Sequence, residues 1–324
     1  MRIVKSLFFA MIRMTLPKML GIITCMMLII ACGGGDDESN STKPQEQEPS
    51  ISTQVPISLS LSLTPSTRAT DTSFEYDDKV GLYVVNYQGS APGTLLAKGN
   101  HVDNHLFAYI NDNWLPTSKI YWKDEKTDAD FYVYSPWQKQ VGNVTDFIFS
   151  VNTDQDKPSQ HRASDFIWGK GNKLSPTSSP VNITTRHLMS CIDVELVPGE
   201  GFTESMINAA NPSVIINNVQ TTAHINLTDG TITTATAEPS SVTLMKESDK
   251  WTGYIVPQTA SSEKLITVRI DGEDYTMSDA LIFKSGYRQT FTMIVSRIAT
   301  SITVSIIGWQ EDPIENRGTI QHQI

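Results

Sequence analysis

The chain has 324 residues, a formal net charge of −10 and three cysteines. An acidic balance with no cluster of Lys and Arg after residue 32 excludes a nucleic-acid-binding surface, and so few thiols exclude a disulfide-stapled scaffold. The length allows two domains of ordinary size behind a removable leader.

Residues 1–31 read as that leader. Arg2, Lys5, Arg13 and Lys18 precede a nearly unbroken apolar run from Met19 to Ala31. A membrane-spanning helix needs about 20 such residues, so the run fits the apolar region of a secretory signal instead. The sequence Leu28-Ile29-Ile30-Ala31-Cys32 resembles the lipobox of bacterial lipoproteins, in which the cysteine after a small residue is acylated and becomes the first residue. Cys25 competes, but it follows Thr24 inside the apolar run and fits the pattern less well. The resemblance implies a lipid on Cys32 that anchors the protein in the outer membrane, because several acyl chains on one residue bind a bilayer very tightly. Cys191 then remains as a single thiol, so stability must come from burial of apolar surface. Gly33 to Gly35 followed by Asp36, Asp37 and Glu38 is similar to the export signal that carries lipoproteins of Bacteroidetes-type bacteria to the outer face of the outer membrane. From there to residue 55 the chain is rich in Ser, Thr, Gln, Glu and Pro, and residues 32–55 are expected to be a solvated linker.

The fold is expected to begin with "PISLSLSLT", Pro56 to Thr64. Ile57, Leu59, Leu61 and Leu63 alternate with Ser58, Ser60 and Ser62, the period of a half-buried strand. The next stretch, "TPSTRATDTS", places Arg68 in an exposed turn. Short β-rich runs then follow between Gly, Asn, Asp and Pro: "KVGLYVV", "HLFAYI", "KIYWK", "DFYVYSPW", "FIFSV" and "DFIWG". A second series begins after the Ser/Thr/Pro-rich "LSPTSSPVNITT" and includes "CIDVELV", "SVIINNV", "HINL", "WTGYIVP", "LITVRI", "RQTFTMIV" and "SITVSIIGW". Only Gly201 to Ala210 suits a turn or two of helix. The expected fold class is all-β, two tandem antiparallel β-sandwich domains over residues 56–188 and 189–324, since each sandwich takes about seven strands.

The blocks "FEYDDKVGLYVV", "NDNWLPTSKIYWKDEKTDADFYVYSPW", "SDFIWG" and "FKSGYRQTFTMIVSRIATSITVSIIGWQED", with the "TRAT" turn and the lipobox, resemble the fimbrillin-like proteins of Bacteroidales, subunits of type V pili. The resemblance covers roughly residues 56–320 and implies transthyretin-like sandwiches, a surface location in the fimbrium, and other pilus subunits as partners. It also implies that an arginine-specific protease cuts the Arg68-Ala69 bond, removes the strand bearing Ile57, Leu59, Leu61 and Leu63, and opens a groove for a neighbour's strand. Withdrawing such a strand would expose roughly 400–600 Å² of apolar surface, about 10–15 kcal/mol of transfer free energy before chain entropy. On the residues alone, a permanent first strand followed by an ordinary turn fits as well. The stretch after Trp309 is shorter than the donor segment implied for stalk subunits, so tip, accessory and unpolymerised surface-lipoprotein roles stay open. In the last of these, a host or bacterial surface ligand such as a glycan would stack on exposed tryptophans.

No catalytic constellation stands out, and no cofactor or metal is expected. His101 and His105 have the spacing of a helical zinc pair, yet Val102 stands where a general base would follow the first histidine. "NTDQDKPSQ" alternates oxygens like the start of a calcium loop, but Pro158 and the missing glycine favour a solvated loop. Cys191 suits a buried strand better than a nucleophile. Most of Trp114, Trp122, Trp137, Trp168, Trp251 and Trp309 are expected in the core.

Overall fold

A computed structural model describes residues 54–64, 73–296, 301–308 and 320–322, whose regular structure is strands apart from two short helices. The fold class is all-β. The front of the chain contributes β1 (Leu59–Leu63), β2 (Lys79–Asn86), β3 (Val102–Ile110), β4 (Asn113–Pro116), β5 (Ala129–Ser135), β6 (Phe147–Ser150), the short helix α1 (Pro158–Arg162), β7 (Ile167–Leu174) and β8 (Val181–His187). There follow β9 (Ser190–Pro198), the helix α2 (Glu204–Ala210), β10 (Ser213–Val219), β11 (Thr222–Asn226), β12 (Thr231–Thr234), β13 (Ser240–Thr243) and β14 (Met245–Glu247). The last strands are β15 (Lys250–Ile255), β16 (Gln258–Ile270), β17 (Glu273–Phe283), β18 (Tyr287–Val295), β19 (Ser301–Gly308) and β20 (Ile320–His322).

Seven front strands close on themselves in the order β1-β4-β3-β2-β5-β7-β8. Behind them lie sheets of three strands (β12-β11-β6), four strands (β13-β10-β16-β17) and six strands (β14-β15-β9-β18-β19-β20). The three-stranded sheet joins early and late sequence, with Phe149 of β6 opposite Ala223 of β11.

The near-continuous apolar runs of β2 and β5 follow from burial on both faces. Val80, Leu82 and Val84 face a front core with Phe131 and Val133. Tyr83 and Val85 face a middle core with Tyr132, Tyr134, Phe147, Phe166, Cys191, Ile225 and Tyr254. Strand β9 is two-sided as well: Cys191 belongs to the middle core, whereas Ile192 and Val194 join Val214, Ile216, Val268 and Phe291 in a back core. A buried side-chain amide locks the middle to the back. Gln155 accepts from the Tyr254 backbone N–H (2.8 Å) and donates to its carbonyl (2.8 Å), so one side chain satisfies both backbone groups of a strand residue.

Most expected strands form, and the differences have local causes. "KIYWK" makes no strand, only an isolated antiparallel bridge of Tyr121 to Pro56, closed by the backbone bonds of the residues on either side of it. The Ser/Thr/Pro-rich stretch holds β8, whose Val181, Ile183, Thr185 and His187 face inward at period two. Part of "NTDQDKPSQ", expected to be a solvated loop, is instead α1, with Pro158 in the first turn, where its missing N–H costs nothing. Helix α2 forms as expected. Its Thr203 side chain caps the Met206 N–H at 3.3 Å, and it ends at Asn211 in a left-handed conformation (φ 45°).

On the face of the six-stranded sheet opposite the back core, Asp193 sits with its side chain fully buried and accepts from Arg288 Nη1 (2.8 and 2.7 Å) and Lys250 Nζ (2.8 Å). The three residues lie on neighbouring strands β15, β9 and β18, so the ion cluster also fixes their lateral order. Removing one member of a buried ion pair typically costs about 3–5 kcal/mol, because the other charge stays desolvated. Asp193→Asn should therefore lower the stability read by chemical denaturation by about that amount. Asp77→Asn, at the exposed Lys79 pair, should stay within about 0.5 kcal/mol.

Candidate functional site

Strand β1 is where the front sheet closes. It runs parallel to β8, in register from Leu59 opposite Val181 to Leu63 opposite Thr185, and meets β4 antiparallel at Leu59 opposite Trp114. Backbone bonds continue past both ends of the strand. Val181 N–H donates to Ser58 O (2.8 Å) and Thr64 N–H to Thr185 O (2.8 Å). Ile57 N–H donates to Ile120 O and Trp122 N–H to Val55 O, each at 2.9 Å. The Thr185 hydroxyl adds a bond to Ser62 O at 3.1 Å.

The alternation read from the sequence sets the two faces of this strand. Ile57 (3% exposed) and Leu59 (5%) are buried in the front core with Trp114, Trp122, Val181 and Ile183. Leu61 and Leu63 are half-buried, while Ser60 and Ser62 face solvent. Lifting out β1 would strip these side chains from the core and leave the backbone groups of β8, and of part of β4, without a strand partner. An open apolar groove flanked by unpaired strand edges favours addition of another strand. Sequence reasoning found the strand but missed the wall it leans on. The period-two pattern Val181, Ile183, Thr185 was the available signal, in a stretch whose Ser, Thr and Pro content reads as a loop.

Where β1 ends, Leu63 borders a polar cavity of about 120 Å³ lined by Phe74, Glu75, Asp78, Arg162 and Asp165. Glu75 pairs with Arg162 of α1, and His187 Nδ1 meets both Asp165 carboxylate oxygens at 3.0 and 2.9 Å. Burial raises the Asp78 carboxyl above the usual carboxylate range. The neighbouring His161 packs its ring on Tyr254, with centroids 4.7 Å apart, and its Nδ1 has no hydrogen-bond partner among the described residues. Burial pushes its pKa down to about 4, outweighing the opposite pull of Asp165.

The expected cleavage residues Arg68 and Ala69, the expected lipidation residue Cys32 and the alternative Cys25 lie outside the described residues, as does Trp309. His101 and His105 turn to backbone carbonyls, of Tyr121 at 2.7 Å and Ser118 at 3.0 Å, rather than to each other. Cys191 is fully buried beside the Thr252 hydroxyl, and burial pushes its thiol well up, away from nucleophilic character. Trp114, Trp122 and Trp251 are buried and Trp137 and Trp168 half-buried, so none of the described tryptophans is fully exposed.

Comparison with known proteins bears on this architecture. A family model described as fimbrillin-like matches residues 67–309. A curated Bacteroides uniformis protein named "Putative fimbrium subunit Fim1C" is 22% identical over 300 residues, covering 88% of this chain and 93% of that protein. A solved structure described as a "putative cell adhesion protein" from Bacteroides ovatus matches 81% of this chain and 99% of its own with a TM-score of 0.65 at 17% identity. A second, so described and from Bacteroides uniformis, matches 79% and 98% with a TM-score of 0.60 at 17% identity. At such identities the superpositions speak for the fold alone.

Two measurements check the seam and its surroundings. Leu59→Ala should destabilise the protein by about 2–5 kcal/mol and Ser60→Ala by less than about 0.5 kcal/mol in denaturant titration, since only the first removes core contacts. His161 is held neutral in the native state but protonates near its usual 6.5 when unfolded. Between pH 6.5 and about 4 the unfolded chain binds more protons, and stability should fall as pH falls, by up to about 3 kcal/mol from this residue. A pH series of denaturation curves should lose that part of its slope in His161→Phe.

Proposed function

The chain belongs to the fimbrillin-like family, and we propose that it is a structural and adhesive subunit of type V-type fimbriae that exchanges its first strand on assembly. In this reading the leader is removed, Cys32 is acylated and the protein reaches the outer face of the outer membrane tethered through the 32–55 linker. Cleavage at Arg68-Ala69 then frees the segment that carries Ile57, Leu59, Leu61 and Leu63, and a strand from a neighbouring subunit takes its place. The partners are other pilus subunits, and the chemistry is association without catalysis. The two-sandwich, transthyretin-like division at about residue 188 belongs to the same reading.

The observation that carries it is the placement of β1. A five-residue strand closes a seven-stranded sheet, places Leu59 and Leu61 in the front core and contributes no residue to the middle or back cores. Its departure therefore opens one groove and leaves the other two cores intact. The segment that follows it, residues 65–72, contains Arg68. The named fimbrium relative supports the assembly role, and the solved cell adhesion proteins support the fold.

Mass spectrometry of the mature N-terminus, on sheared surface material and on the membrane fraction separately, tests this reading. Sheared material should begin at Ala69, and Arg68→Ala should remove both that terminus and the high-mass polymer. Normal polymer from Arg68→Ala would overturn the cleavage step. Lipidated Cys32 in the membrane fraction with nothing sheared would turn the reading toward a permanently tethered surface lipoprotein.

A further inference from the structure

Away from the seam, a cleft of about 810 Å³ lies between the β2–β3 connection and residues 139–142 that follow β5. That is within the size range of small-molecule sites, which are usually preformed and carry a few placed polar groups. Both walls are fixed by side chains bonding to backbone. On one wall the Asn100 side chain accepts from Leu96 N–H (3.0 Å) and donates to Leu96 O (2.7 Å). The Asp103 carboxylate there accepts from the Gly99 and Asn100 amides and from Asn100 Nδ2, at 2.8, 2.9 and 2.6 Å. The opposite wall is tied through Asn104. Its Nδ2 donates to Gln138 O (2.7 Å), its Oδ1 accepts from the Tyr134 hydroxyl (2.7 Å), and its carbonyl accepts from Trp137 Nε1 (3.2 Å).

Asn104 does this from a left-handed backbone (φ 42°), a conformation that costs energy for a non-glycine residue and that often marks functional positions. Gly81 makes room for it, since a Cβ there would run into the Tyr134 ring and Asn104 Oδ1. Tyr83 also lines the cleft, with no exposed surface, and its hydroxyl has no hydrogen-bond partner among the described residues. A buried hydroxyl without a partner is rare enough to need a reason. Burial, helped by nearby Tyr134 and Asp103, raises its pKa, so it stays a neutral donor. Lys98 and Lys139 are exposed at the cleft and pair with no carboxylate among the described residues, whereas the one carboxylate lining it, Asp103, already accepts three N–H bonds. In a chain of net charge −10 this is a locally cationic, hydrogen-bonding site.

We propose that the cleft binds a carboxylate-bearing sugar unit, with the carboxylate held by Lys98 and Lys139 and a ring hydroxyl accepting from Tyr83. Binding draws the two exposed lysine side chains onto the carboxylate and opens the Tyr83 hydroxyl to the sugar. Neutral sugars lack the charge, and small inorganic anions lack the second anchor. The site belongs to the adhesive side of the proposed role, and it holds whether or not Arg68 is cut.

Titration of the full-length, unpolymerised chain in detergent, followed by ligand-observed NMR, tests this with three probes: free glucuronic acid, N-acetylneuraminic acid and glucose. At least one acid should bind in the millimolar range, with glucose at least tenfold weaker, and the stronger acid tells whether a polysaccharide uronate or a sialylated glycan is the natural source. Tyr83→Phe should weaken that acid at least fivefold without lowering the melting temperature, since it removes only an unpartnered hydroxyl. Lys98→Gln combined with Lys139→Gln should weaken it at least tenfold and abolish its salt dependence. No binding by either acid up to about 20 mM, or unchanged affinity in Tyr83→Phe, would overturn the proposal. The readout uses monomer, so its failure says nothing about assembly, and failure of the cleavage test says nothing about this cleft.

Discussion

A closed sheet has no free edge only while every strand is in place, and in the front of this molecule the circle is completed by five residues. Strand β1 joins β8 in parallel, the less stable of the two pairing geometries per residue, and touches β4 in register at a single residue. What holds it is therefore chiefly side-chain burial, concentrated in Ile57 and Leu59, with the backbone bonds of residues 55–64 setting its register. The polar cavity at Leu63 marks where that apolar seal ends.

Away from the seam the molecule is built to be indifferent to it. Strands β2 and β5 present one face to the front core and the other to the middle core, and β9 does the same between middle and back. Two-sided strands spread the apolar area over several sheets, so loss of one strand exposes one face of one layer. The Gln155 clamp on Tyr254 and the Asp193 ion cluster add directional bonds behind that layer, where burial alone would leave strand order loosely specified. A buried polar group suits such a task because misplacing it is costly.

How much of this could be read in the sequence depends on whether the signal was periodic. Leu59, Leu61 and Leu63 set against serines give β1 directly, and the two-sided apolar runs give β2, β5 and β9. The stretch Gly201 to Ala210 gives α2, although the capping role of Thr203 emerges only in the structure. Strand β8 was hidden because half its inward positions are Thr185 and His187, residues that composition assigns to loops. "KIYWK" misled in the opposite direction: its apolar and aromatic content suits a strand, but it pairs only through the single bridge of Tyr121 to Pro56. The ion cluster and the cleft at Tyr83 join residues far apart in the chain, and no local pattern announces such pairings.

The cleft and the seam draw on different cores, which would let the two proposed functions operate separately. Tyr83 and Tyr134, and the loop anchored by Leu95, belong to the middle core, which includes no residue of 54–64. A sugar site supported there would keep its geometry while the front groove exchanged one strand for another, because its walls are tied to Asn104, Gln138 and Trp137 rather than to the barrel seam. The two functions would collide if the cleft drew on front-core residues, since each exchange would then loosen the binding site. Gly81 stands at the meeting point: it lies on β2 between front-core Val80 and Leu82, yet the space above it is taken by Asn104 and Tyr134. A side chain at position 81 would press on Tyr134 and Asn104 in the cleft wall, and neither residue belongs to β1, so the cleft and the seam are structurally separable.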